Sequence, residues 1–195
     1  MHEGVLEALK SAGALKTGHF LLASGRHSNQ YVEKFDLLRQ PTETVIACAG
    51  FAEQFADAGI DVVAGPTTGG IILAFETARQ MGVVAAYAER ATDGANGREF
   101  RRGTTFEPGS RVLVVDDILT TGGSVRETLA ALEKHDVEVV AVGVLVDRSG
   151  GKTSFPGVPL YSLVQLDIET WTADECPLCA SGEPLVKPGT TAVKK

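Results

Sequence analysis

The most specific chemistry in this sequence lies in one stretch, Arg111-Val-Leu-Val-Val-Asp-Asp-Ile-Leu-Thr-Thr-Gly-Gly-Ser124. The apolar run over 112–115 has the length and composition of a buried strand, and it delivers two adjacent carboxylates, Asp116 and Asp117. A Thr120-Thr121-Gly122-Gly123-Ser124 loop follows, with a helix expected directly behind it. The glycines allow the backbone to curl so that successive N–H groups point into one concavity. Hydroxyls add donors, and a helix N-terminus adds a dipole that favours an anion. That combination suits a phosphate monoester. The carboxylates come just before the anion site, where repulsion makes them poor phosphate ligands. They suit groups that donate hydrogen bonds, such as ribose hydroxyls, with possible help from a divalent ion. A sugar phosphate therefore fits both halves. The stretch lacks the Gly-Lys-Ser/Thr of a Walker A loop and the Gly-x-Gly-x-x-Gly of a dinucleotide fingerprint.

The elements that must hold this stretch follow from periodicity. Val5, Leu6 and Leu9 fall at helical spacing within 3–12, and Gly13 closes the run. Residues 19–38 mix extended character with turn signals at Ser24–Gly25 and Ser28–Asn29. Pro41 stands where a first helical residue belongs, and Val45, Ala49, Ala52, Phe55 and Ala56 are expected to form one apolar face up to Gly59. A repeating unit then begins: strand 62–65, helix 70–81 and strand 83–88, then strand 112–115, helix 125–134 and strand 139–146. Short apolar strands alternating with helices predict an α/β fold with a mostly parallel sheet flanked by helices. Ligands in such sheets bind beyond the carboxyl ends of the strands. Residues 89–109 interrupt the unit with glycines, four arginines and little apolar content, which predicts a flexible flap. The end of the sequence, with Lys194 and Lys195, reads as frayed.

Composition excludes several classes. The chain has 195 residues, 44% of them hydrophobic and 22% charged, which describes a globular protein rather than a disordered one. A net charge of −7 argues against nucleic acid as the main partner, since the one compact basic cluster is Arg98, Arg101 and Arg102. No apolar run is long enough to span a membrane, and the start lacks a secretory pattern, so a cytoplasmic location is expected. Three cysteines do not suggest a disulfide framework. Cys176 and Cys179 have zinc-knuckle spacing, but a structural zinc site needs four ligands. Cys48 falls on a buried helix face, and His2, His19, His27 and His135 are scattered without ligand spacing, so no protein metal site is expected. Of the four, only His27 has a chance of touching a ligand. Trp171 is expected to pack locally.

Residues 114–124 resemble the signature that binds phosphoribosyl pyrophosphate (PRPP) in the type I phosphoribosyltransferases, a Rossmann-like fold. Three further segments resemble the orotate phosphoribosyltransferase family: Phe20-Leu-Leu-Ala-Ser-Gly-Arg-His-Ser28 with Tyr31, Gly65-Pro-Thr-Thr-Gly-Gly70, and Val146-Asp147-Arg148. The resemblance implies that Asp116 and Asp117 bind the ribose hydroxyls. The PRPP site would run through Ile118, Leu119, Thr120, Thr121, Gly122, Gly123 and Ser124, with Thr121–Ser124 on the 5′-phosphate. Thr67, Thr68, Gly69 and Gly70, with Arg90, would hold the pyrophosphate together with Mg2+. Thr120 and Arg148 would hold orotate, and Asp116, Asp117 and Arg90 would be the catalytic groups. PRPP and orotate are the implied partners, and a homodimer the implied assembly. One domain is expected, with 1–40 as hood and N-terminal element, 41–165 as core, 89–109 as flap and 166–195 as tail. Ala23 stands where the family's best-known members carry lysine, and Tyr87-Ala-Glu-Arg-Ala-Thr-Asp-Gly94 keeps only Arg90 of their basic catalytic loop. A purine or another base, or a PRPP-sensing regulator of the same fold, therefore remain alternative readings.

Overall fold

The computed structural model describes residues 3–92 and 97–188. Helix α1 (Glu3–Ser11) leads into the antiparallel strands β1 (Leu15–Leu21) and β2 (His27–Val32). Short α2 (Lys34–Leu38) and longer α3 (Pro41–Gln54) follow, with Pro41 at the first helical position, where its missing N–H costs nothing. Strand β3 (Val62–Pro66), helix α4 (Gly69–Met81) and strand β4 (Val84–Arg90) come next, then β5 (Arg98–Phe100), β6 (Ser110–Leu119), α5 (Gly123–Leu132), β7 (Val137–Asp147) and β8 (Leu160–Gln165). The chain closes with β9 (Thr170–Trp171) and α6 (Pro177–Ala180).

Among the described residues the strands make two sheets, one ordered β1-β2-β9 and the other β5-β4-β3-β6-β7-β8. The larger sheet is parallel except for β5, which runs antiparallel to β4. From β3 the chain steps outward to β4, then returns to β6 on the other side of β3 and continues to β7. The strand order thus reverses between β3 and β6, and a crevice opens beyond their carboxyl ends.

Alternation along the strands builds two apolar layers. Leu113 and Val115 of β6 and Ala141 and Leu145 of β7 join Leu9, Phe51 and Leu73 on the face covered by α1, α3 and α4. Val112, Val114, Val142 and Val144 face the other way, against Val125 and Leu132 of α5. Successive side chains of a strand point to opposite faces, so a strand apolar at every position must be covered on both.

Three expectations are corrected. The apolar face of α3 is rotated from the expected Val45–Ala49–Ala52 line: Thr44, Ala47, Cys48, Phe51 and Phe55 are buried, while Val45 and Ile46 are open. A buried threonine explains the shift, because Thr44 Oγ1 donates to the Leu37 carbonyl at 3.0 Å and so lies inside without an unpaired polar group. Ser28 and Asn29 lie within β2 rather than in a turn, with Ser28 paired both to Phe20 and to Thr170. Helix α1 belongs to the core rather than the hood, since Val5, Ala8 and Leu9 are buried there. The segment expected as a flexible flap is, where described, a hairpin of β4 and β5 whose Phe100 and Phe106 pack on the α5 layer. Its Asp93–Asn96 stretch, and the expected frayed end at Lys194 and Lys195, lie outside the described residues.

Phe51 is wholly buried and lies over Gly143 of β7, where an added Cβ would meet its ring at 2.9 Å. Phe51→Ala is expected to lower the unfolding free energy by about 3–5 kcal/mol in chemical denaturation. Phe51→Leu should recover more than half of that loss, because it refills most of the space over Gly143.

Candidate active site

Two loops meet at the crevice: 67–68, between β3 and α4, and 120–122, between β6 and α5. Their approach is tight. A Cβ at Gly69 would come within 1.9 Å of Asp117 Oδ2, so only glycine lets the start of α4 lie against that carboxylate. A Cβ at Gly65 would meet the Gly70 carbonyl oxygen at 2.3 Å, which fixes how sharply the first loop turns. The Thr67–Thr68 peptide within it is cis.

Strand β6 continues through both acids instead of ending before them. The alternation set by Leu113–Val115 therefore carries into the acid pair. Asp116 lines a cavity of about 260 Å³ together with Arg90, Thr120, Thr121, Gly122, Gly123, Ser124 and Glu127. Asp117 points the other way, where Lys34 Nζ of α2 lies 3.0 Å from its Oδ1 and 2.8 Å from its Oδ2. Ile118 and Leu119 also reach the cavity wall.

At the far side of the cavity, Gly122 takes the left-handed φ of +77° as N-cap of α5. The loop carbonyls are tied outward: Thr120 accepts from Thr153 Oγ1 at 2.9 Å, and Thr121 accepts from the Arg126 guanidinium. The first amides of α5 have no acceptor within the helix, and with the Thr121 and Ser124 hydroxyls they form a donor-rich cup.

The electrostatics set the acids apart. Burial, then the Asp117 charge, pushes the Asp116 carboxyl up to about 7, and Lys34 and Arg98 offset this only in part. Arg98, one of the basic cluster in the sequence, is only 5% exposed. Its Nη1 donates to Thr67 Oγ1 at 2.8 Å and to the Ala88 carbonyl at 3.1 Å, and its Nε lies 3.2 Å from Glu127 Oε2. The same oxygen lies 3.5 Å from Nη1 of the exposed Arg90 at the cavity rim. Arg101 and Arg102 both turn to Glu89, away from the cavity. Thr67 is thus bound to Arg98, whereas Thr68 is open as the N-cap of α4.

Arg148 follows β7, and its N–H donates to the Leu119 carbonyl at 2.9 Å, so it begins where the donor-rich loop begins. Among the described residues its Nε is buried with no hydrogen-bond partner, and burial lowers its pKa. Its chain neighbour Asp147 accepts the Ser149 N–H at 2.6 Å. Tyr31 of β2 lies near enough to feel the Arg148 charge, although burial still raises its pKa.

Lys34 was missed. One sequence signal was available: a cation opening a helix opposes the helix dipole, and such a residue needs a nearby anion to justify it. That anion, Asp117, is 83 residues away in the chain, beyond the reach of any spacing rule. Two expectations about the histidines are also corrected. His27 does not face the cavity; its ring is buried against His19 and Cys179. The histidines are not all scattered either, because β1 and β2 bring His19 beside His27.

Residues 35–154 match the Phosphoribosyl transferase domain family. An orotate phosphoribosyltransferase from Caldanaerobacter subterraneus subsp. tengcongensis is 48% identical over 188 residues, covering 96% of this chain and 97% of its own. Another from Caldicellulosiruptor saccharolyticus is 46% identical over 98% of both chains. The crystal structure of orotate phosphoribosyltransferase from Aeropyrum pernix superposes with a TM-score of 0.72 at 30% identity, covering 83% of this chain and 93% of that one.

The raised Asp116 carboxyl has a measurable consequence. Its folded pKa lies above its unfolded value, so between about pH 4 and pH 7 the folded state holds the extra proton, and stability falls as pH rises through that window. Asp116→Asn removes this dependence. In urea unfolding, the stability of the variant relative to the parent is expected to grow by on the order of 2–4 kcal/mol from about pH 4 to pH 8. A difference that stays flat with pH would show that Asp116 is ionised throughout.

Proposed function

The chain belongs to the phosphoribosyltransferase family, and from that premise we propose how its residues divide the work of a pentosyl transfer. Its activity is that of an orotate phosphoribosyltransferase, a glycosyltransferase-type enzyme of pyrimidine biosynthesis. The phosphoribosyl group of PRPP passes to orotate, giving orotidine 5′-monophosphate and pyrophosphate. The bond from ribose C1′ to the pyrophosphate oxygen breaks, and orotate N1 forms the new bond to C1′.

In this reading the cup formed by Thr121, Gly122, Gly123 and Ser124 takes the 5′-phosphate. The anion meets amide donors and a helix N-terminus, with no acid in the cup itself. Asp116 and Asp117 take the ribose hydroxyls, and Ile118 and Leu119 complete the wall. Lys34 supplies a countercharge to Asp117, with its Nζ 2.8 Å from Oδ2. Thr67, Thr68, Gly69 and Gly70 receive the pyrophosphate, with Arg90 at the rim to stabilise its charge as it leaves. Arg98 fixes the orientation of Thr67 from behind.

Mg2+ fits this site on the chemistry of its donors, because the Asp116 carboxylate at the cavity wall is a hard oxygen ligand. Asp116 would hold the ion together with the sugar, and it would supply positive charge to the pyrophosphate. The residues of the chain orient the two substrates and exclude water from the reacting centre.

Arg148 is the single observation that carries the choice of base. Among the described residues its buried Nε is without a partner at the mouth of the PRPP loop, and a guanidinium matches a carboxylate in two-pronged geometry. Orotate has such a carboxylate; uracil and the common purines do not. Thr120, which would also hold the base, directly follows Leu119, whose carbonyl accepts the Arg148 N–H.

A homodimer is supported by an apolar groove of Leu38, Pro41, Val45, Ile71, Ile72 and Phe75, of which Phe75 is 65% exposed. The groove lies on α3 and α4, next to the pyrophosphate loop. A second copy of the chain is its proposed occupant. No helix among the described residues is long and apolar enough to cross a membrane. We assign the cytoplasm, where the free thiols of Cys48, Cys176 and Cys179 stay reduced.

Arg148→Ala is expected to cost at least about 2 kcal/mol, or thirtyfold, in kcat/KM for orotate while leaving PRPP affinity near that of the parent. Arg148→Lys should restore only part of the loss. Parent protein that does not turn over orotate, or an alanine variant that uses it equally well, would remove orotate as the base. Arg90→Ala should lower kcat more than it raises KM for PRPP, because its charge counts most as pyrophosphate departs. An unchanged kcat would move that role to another group.

A further inference from the structure

Away from the substrate crevice, His19, His27, Cys176 and Cys179 bring one ligand atom each within 4.8 Å of one another. We propose that these four side chains bind a structural zinc ion that fastens the C-terminal segment to the β1–β2 sheet. The inference does not depend on the identity of the base or on the assignment of the PRPP site.

The pairwise distances suit a single tetrahedral ion. His19 Nε2 lies 3.0 Å from His27 Nδ1, 3.4 Å from Cys176 Sγ and 3.7 Å from Cys179 Sγ, and Cys179 Sγ lies 3.3 Å from His27 Nδ1. With Zn–N near 2.0–2.1 Å and Zn–S near 2.3 Å, the edges of such a tetrahedron are about 3.3 Å between nitrogens and about 3.6 Å between nitrogen and sulfur. Two sulfurs and two imidazole nitrogens in that shape select zinc over magnesium or calcium, which take oxygen ligands.

Local structure explains how distant residues arrive together. His27 is paired with Leu21, and His19 lies two residues before Leu21, so both imidazoles leave the same face of the hairpin. An irregularity in β1 between Thr17 and Phe20 sets that register. On the other side, Cys176 caps α6 and Cys179 lies within its single turn, so both thiols face one way. The backbone carries the segment to the hairpin, with Val186 N–H donating to the His19 carbonyl and Leu21 N–H to the Val186 carbonyl, each at 2.8 Å.

An independent contact orients the first histidine. Its Nδ1 lies 2.8 Å from the Glu183 carbonyl oxygen, which can only accept, so Nδ1 carries the proton and the Nε2 lone pair faces the cluster. This backing of a ligating imidazole by a carbonyl is the usual support of a metal-bound histidine. His19, His27 and Cys176 are buried, and only Cys179 is open. Four protein ligands leave no free position, so the ion holds structure and does no chemistry. Binding releases the two thiol protons, and two thiolates with two neutral imidazoles balance the charge of a divalent ion.

The test is elemental analysis of the full-length chain, produced in zinc-supplemented medium and purified without chelator. About one zinc per chain is expected, unchanged in Cys48→Ser and lost in Cys179→Ser and His27→Gln. Since those variants can lose metal by unfolding, the parent should also be exchanged with cobalt(II). A tetrahedral thiolate spectrum that zinc abolishes supports the site, whereas a weak octahedral spectrum overturns it. Zinc-free parent protein overturns it as well, whether the thiols are reduced, leaving a hydrogen-bonded cluster, or joined as a Cys176–Cys179 disulfide. Stripping with a chelator should lower the melting temperature, and zinc, but not magnesium, should restore it. A melting temperature indifferent to zinc would defeat the fastening role.

Discussion

The contact between the Asp117 carboxylate and the backbone of Gly69 constrains everything around the crevice. The carboxylate lies so close to the Gly69 backbone that not even a methyl group fits there. That proximity follows from the sheet order, since β3 and β6 are direct neighbours at the point where the winding reverses. The glycines of this turn clear space for neighbours rather than merely permitting unusual dihedrals: Gly69 for the Asp117 carboxylate, Gly65 for the Gly70 backbone, and Gly70 for the Pro66 ring and the Gly65 backbone. The donor-rich loop after β6 works differently. Gly122 has a left-handed conformation, and an added Cβ would strike Arg126 and Thr153, the residues that hold the loop carbonyls outward.

Given that constraint, the charges are arranged so that like groups sit close without facing one another. The two acids are consecutive in β6 and are therefore sent to opposite sides of the sheet. Asp117 has Lys34 within 3.0 Å, whereas among the described residues Asp116 has no ion pair that close and keeps a raised pKa. The basic side is divided similarly. Glu127 lies between Arg90 and Arg98 and holds two like charges at one rim, while Glu89 takes Arg101 and Arg102 to the outer side of the β4–β5 hairpin.

The legible part of this molecule was the local part. The strand–acid–acid–loop–helix stretch, the parallel alternation and the Pro41 helix start all rest on contacts within a few residues, and periodicity reports those well. The face of α3 was misjudged because hydrophobicity alone favoured Val45 and Ala49, whereas a threonine bonded to the Leu37 carbonyl turned the helix. Ser28 looked like a turn residue, but its hydroxyl donates to the Glu169 carbonyl at 2.9 Å, which lets a polar residue sit wholly buried in a strand. Within the polar segment 89–109 the burial of Arg98 was not legible, because it depends on Thr67, Ala88 and Glu127 from other parts of the fold. Lys34 and the His/Cys cluster stayed hidden for the same reason: their partners lie 83 and more than 150 residues away.

The last of these distances bears on how the two sheets are coupled. Strand β2 carries Tyr31 toward Arg148 at one end and His27 toward the cysteines at the other. Between them, Ser28 binds the Glu169 carbonyl and Arg26 binds both Thr170 Oγ1 and the Thr170 carbonyl. The two-residue β9 pairs with β2 over only His27–Trp171 and Ser28–Thr170, too few ladder bonds to anchor a strand by themselves. The side-chain bonds from Arg26 and Ser28, with the cluster around His27, hold the C-terminal segment where the ladder is shortest. Tyr31 therefore lies near Arg148 on a strand that the C-terminal segment braces at its other end.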